Sequence, residues 1–176
     1  MNRPDGFNFS SLAEFVAHAQ ALEQELAERY AEMADCMEVH NNLVVARLFR
    51  ELADYGKSRA DVLMRVMQGR EVPQVSPWEY RWLELETVGA ADGMQQLHYL
   101  MTPCHALQLA LRIERGTRSF YLRTVEDVKD NQVQELATKM LVDLRHHLAL
   151  LQAWLRREQA CFTMTPEDLD PPHMPE

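Results

Sequence analysis

One phrase occurs twice in this chain and limits what it can fold into: an alanine, a glutamate four places on, and a tyrosine seven places after that. It reads Ala19, Glu23, Tyr30 and again Ala110, Glu114, Tyr121. On a helix, residues four and seven apart share a face, so each copy sets a carboxylate and a phenol two turns apart on one stripe. That stripe is otherwise apolar. Around Glu23 it carries Phe15, Ala19, Leu26, Ala27, Met33 and Met37; around Glu114 it carries Leu107, Ala110, Leu111, Thr117, Val125 and Val128. A carboxylate in the middle of a buried helical face is costly unless it is paired, protonated or bound to a cation. Two of them at matching places ask for one shared explanation.

The rest of the chain supplies four long amphipathic segments to hold those stripes. The first opens at Ser11 with Glu14 three places on, a capping-box pair, and runs to about Asp35. The second follows Asn41 and Asn42 and runs to about Gln68, where Gly69 and then Pro73 stop it. The third begins at Thr102 and Pro103, a cap residue before a first-turn proline, and ends near Asp130; the fourth covers about Gln132 to Gln159. A further helical turn is expected at Thr165, Pro166, Glu167 and Asp168, before a proline-rich end. Residues 1–10 then form an N-terminal tail, 11–160 the helical domain, and 161–176 a C-terminal tail.

The link between the second and third segments, residues 69–101, is far longer than those inside each pair. Helices one and two therefore form one hairpin and three and four another, which is the short, long, short pattern of a ferritin-like four-helix bundle with one crossover. Superposing Glu23 on Glu114 shifts the chain by 91 residues, and the echo of Glu51, Leu52, Ala53 in Glu135, Leu136, Ala137 has an offset of 84, one heptad less. Two related hairpins facing each other bring Glu23 and Glu114 together at the bundle centre. In the crossover, Ser76, Pro77, Trp78 and Glu79 read as a helix start, with Trp78, Trp82 and Leu85 covering one end of the bundle; His98 and His105 read as surface or capping histidines.

Composition removes several classes of function. A net charge of −9 is the wrong sign for a nucleic-acid surface, which needs clustered Lys and Arg. No apolar run approaches the ~20 residues of a membrane span, and the opening residues lack an apolar signal core, so a cytoplasmic location is expected. Cys36, Cys104 and Cys161 are widely spaced with no C-x-x-C pair, so neither a disulfide framework nor a structural zinc or rubredoxin-type iron site is visible. The 10 methionines read as core filler.

The Glu-x6-Tyr helices, the 33-residue spacing from Glu23 to position 56, and the stretches ARLFRELADYGKSRA and LRHHLALLQ together resemble the rubrerythrin branch of the ferritin-like, di-iron carboxylate superfamily. The resemblance covers the four helices. It implies a Glu from each of two helices and a Glu-x-x-His from each of the other two, holding two irons for peroxide or dioxygen chemistry. Glu23 and Glu114 match the two helix glutamates, and Tyr30 and Tyr121 the phenols that hydrogen-bond them. On helix two the Glu-x-x-His places are held by Gly56 and Arg59, and on helix four by Leu144 and His147. Asp143 and His146 repeat that motif one residue earlier, ~100° round the helix and off the central face.

Only Glu23, Glu114 and His147 are thus supplied in register, enough for one metal ion or none; a pair of irons would need replacement ligands such as Asp54, Asp143 or His146. Any peroxide reduction would also need an external electron donor, since the chain has no rubredoxin-like cysteine pairs. Arg59 allows another account. Pointing inward, it would supply the positive charge that iron supplies elsewhere, with Gly56 leaving room for it; pointing outward, it would run along the helix to solvent. A bundle closed that way would serve as a non-catalytic interaction module, most simply a homodimer using Trp78, Tyr80 and Trp82.

Overall fold

The computed structural model describes residues 9–84, Leu97 and residues 100–164. The expected turn at 165–168, Leu85, His98 and the side chain of Cys161 lie outside the described residues. What is described is a ferritin-like four-helix bundle: α1 (Leu12–Val39), α2 (Leu43–Val66), α3 (Pro103–Asp127) and α4 (Asn131–Met164), with two short 3-10 turns, Pro77–Glu79 and Arg81–Glu84, in the long crossover. Helix α1 packs along α2, and α3 along α4. No helix among the described residues is long and apolar enough to cross a membrane.

Local chemistry sets the ends. Ser11 caps α1 by accepting from the Glu14 N–H, while Glu14 reaches back to Ser10 rather than to Ser11. Helix α1 runs four residues past the expected Asp35, because Met37 is still buried and the chain turns only at Asn41, whose φ is 58°. Asn42 then caps α2 through the Val45 N–H and donates to the Met101 carbonyl, tying the first hairpin's turn to the entry of α3. Thr102 accepts from the His105 N–H, and the His105 imidazole accepts in return from the Thr102 N–H, so this histidine caps its helix as expected. Helix α3 stops at Asp127, short of the expected Asp130. That residue belongs to the next helix, accepting from the N–H groups of Gln132 and Val133. Helix α4 runs on to Met164, past the expected end near Gln159.

The core is built from the predicted stripes, with Phe15, Leu22, Leu26, Met33, Met37, Phe49, Leu63 and Phe120 fully buried. The crossover aromatics divide. Trp82 lies in the core beside the half-buried Tyr80, with their rings stacked 5.0 Å apart, whereas Trp78 is 80% exposed and covers nothing. Cys36 and Cys104 are half-buried thiols. Gly56 serves helix packing. A Cβ there would lie 3.1 Å from the Ala27 Cβ and 3.3 Å from the Glu23 carbonyl oxygen, so its absence lets α2 close on α1.

Candidate functional site

Glu23 of α1 and Glu114 of α3 meet at the bundle centre, both fully enclosed. Between them lies Arg59 of α2, 4% exposed. Its Nε donates to Glu23 Oε2 at 2.8 Å and its Nη1 to Glu114 Oε2 at 3.0 Å. The guanidinium therefore points inward. Its flat fork suits two carboxylates approaching from different helices, and it keeps its charge when buried.

The tyrosines complete the cluster, but not within their own helices. The Tyr121 hydroxyl donates to Glu23 Oε1 at 2.7 Å, and the Tyr30 hydroxyl donates to Glu114 Oε1 at 3.3 Å. Each phenol thus serves the glutamate of the opposite hairpin. Seven residues of helix separate Glu23 from Tyr30 by ~10 Å along the axis, too far for a side-chain bond. Facing antiparallel partners close that gap.

The electrostatics follow from burial and this wiring. Burial pushes both carboxyls up. At Glu114 it is outweighed by Arg59 and by His147, which together hold the group down from 4.5 to about 2. At Glu23 burial and the neighbouring charge of Glu114 outweigh Arg59 and Tyr121, and the carboxyl is held above its ordinary value. Two carboxylates share one guanidinium, and of the two Glu23 is the one whose carboxyl is held up. Both buried phenols are pushed well up, by burial first and by the carboxylates they serve, so they remain donors.

On α4 His147 is buried, with Nδ1 3.5 Å from Glu114 Oε2, near enough for charge attraction but without a formed hydrogen bond. Its ring lies on that of Tyr55, with centroids 3.8 Å apart, and Tyr55 also lies under the Arg59 guanidinium at 5.0 Å. The Tyr55 hydroxyl donates to Asp143 at 2.9 Å. Asp143 and His146 are exposed, off the central face as their register predicts. Asp54 is exposed and paired with Lys57. Sequence reasoning missed Tyr55, although it sits one turn before Arg59 and therefore on the same face.

These residues do not suit a pair of irons. Each inward carboxylate oxygen already accepts from the guanidinium, and a fixed cation stands where metal would be held. Among the described residues no group of three His, Cys, Asp or Glu side chains is placed to hold a metal ion. What the arrangement does chemically is store opposite charges out of water, with phenols filling the remaining acceptor positions.

No protein-family model matches the chain, and neither does any curated protein. Among solved structures, an uncharacterized conserved protein from Magnetospirillum magnetotacticum MS-1 is similar at 35% identity and a TM-score of 0.64, over 92% of this chain and 99% of that one.

Proposed function

Because the chain belongs to the family of conserved proteins represented by the Magnetospirillum protein, we propose that it is a rubrerythrin-like descendant of di-iron proteins in which Arg59 replaces the metal. The single observation behind this reading is the guanidinium bonded to both central carboxylates. A protein built this way has no iron pair for peroxide or dioxygen chemistry and no need of an electron donor. Its buried ion cluster is structural, and it acts as a non-catalytic bundle. Metal analysis tests this on protein purified without chelator. We expect well under one iron per chain, and thermal stability that neither chelator nor added ferrous ion changes. Two irons per chain with peroxide turnover would overturn the reading.

Removing the cation sharpens the test. Arg59→His frees the carboxylates and adds an imidazole beside His147, and this variant should bind a divalent ion that the natural chain does not. Adding Gly56→Glu would rebuild the older motif more fully, at the cost of a small shift of α1, since a Cβ there meets the Ala27 Cβ at 3.1 Å. As for partners, Trp78 is the one crossover tryptophan that projects outward. It favours pairing with a second copy, to be checked by sedimentation of the natural chain and of Trp78→Ala.

A further inference from the structure

We propose that His18 is a pH-sensitive latch that holds the crossover turns against the end of the bundle and releases them in mild acid. His18 lies on α1, 3% exposed, and its Nδ1 accepts a hydrogen bond from the Arg81 N–H at 3.4 Å. An imidazole nitrogen can accept only while it is unprotonated. Protonation would therefore abolish this bond and set a second positive charge beside Arg81.

The groups facing the ring come from three places. Glu14 lies one turn earlier on α1, Glu79 and Arg81 come from the crossover, and the rings of Phe9 and Tyr80 lie 5.4 Å and 6.2 Å from it. Arg81 also pairs with Glu14 at 3.5 Å and lies over the Phe9 ring at 5.6 Å. Burial first, then Arg81, holds the imidazole below its ordinary 6.5, against the opposing pull of Glu14 and Glu79. The sign follows: the latch is strongest above 6.5 and weakens as pH falls below it.

A second observation shows why one bond matters here. Trp82, next in the chain to Arg81, is buried, and its Nε1 has no hydrogen-bond partner among the described residues. An indole N–H held out of water without a partner is destabilising. The latched crossover carries that cost, and release returns the donor to water. Release would also lift the Arg81 guanidinium from the Phe9 ring.

Amide exchange in the full chain, corrected for the intrinsic pH dependence of the chemistry, tests the latch. Between about pH 7.5 and about pH 5, protection of the Arg81 N–H should fall by about tenfold or more. Its midpoint should coincide with the titration of the His18 ring. In His18→Asn, whose Oδ1 accepts at every pH, protection should stay level. Protection that ignores pH in the natural chain, a fall of equal size in His18→Asn, or separate midpoints for ring and amide would each overturn the proposal. The midpoint comparison needs only the natural chain, so it holds even if the variant fails to fold.

Discussion

Helix α2 carries two arginines that each engage two carboxylates, and they lie in opposite surroundings. Arg50 donates to Asp35 and Glu38 with its side chain 41% exposed, whereas Arg59 donates to Glu23 and Glu114 with 4% exposed. Nine residues of helix separate them, which at ~100° each places them on opposite faces. The bonding is similar; the water is not. At the surface, solvent would replace whatever an arginine lost, and the pair fixes little. At the centre the groups are enclosed by the bundle, so each charge depends on the others for its solvation.

Arg59→Ala breaks this comparison most severely. It leaves two enclosed carboxylates without a cation, and chemical denaturation should show a loss of about 3–5 kcal/mol. Substituting Glu23, Arg59 and Glu114 together by apolar residues of similar volume should cost far less than that single change. If it costs more, the cluster is a source of stability rather than a self-consistent set.

Acid comes next. Glu114 titrates from 4.5 when unfolded to about 2 when folded, so its contribution is present above 4.5 and is lost as pH falls through 2. The raised Glu23 acts the other way, favouring the fold at low pH and losing that contribution as pH rises through its folded value. A stability profile should therefore fall by a few kcal/mol between those limits, and Glu114→Gln should flatten it.

Smaller effects separate the two phenols. Tyr121→Phe removes a bond to a carboxylate at 2.7 Å and should cost about 1.5–3 kcal/mol. Tyr30→Phe removes one at 3.3 Å and should cost less. Arg50→Ala should leave the melting temperature unchanged within error. A clear drop would mean that the surface arginine is no spectator.

How much of this could be read in advance depends on whether period or direction was needed. The four helices, their pairing and the meeting of Glu23 with Glu114 follow from apolar spacing and link length, which are properties of the chain itself. The inward turn of Arg59 does not. A long side chain on a face boundary can reach core or solvent, and only the positions of the facing carboxylates decide between them. The exchange of tyrosines between hairpins was hidden for the same reason, since Glu-x6-Tyr records a shared face but not the partner across it. His18 gave a fainter signal: it sits three places after Phe15, on the buried side, where a histidine invites the question of what it bonds.

The crossed tyrosines have a consequence for assembly. Each hairpin carries an acid that only the other hairpin's phenol can satisfy, so neither half is complete alone. Sliding one hairpin past the other by a single helical turn would strand both acids together rather than one. The two halves thus check each other's alignment, and the bundle has one register in which both locks are filled.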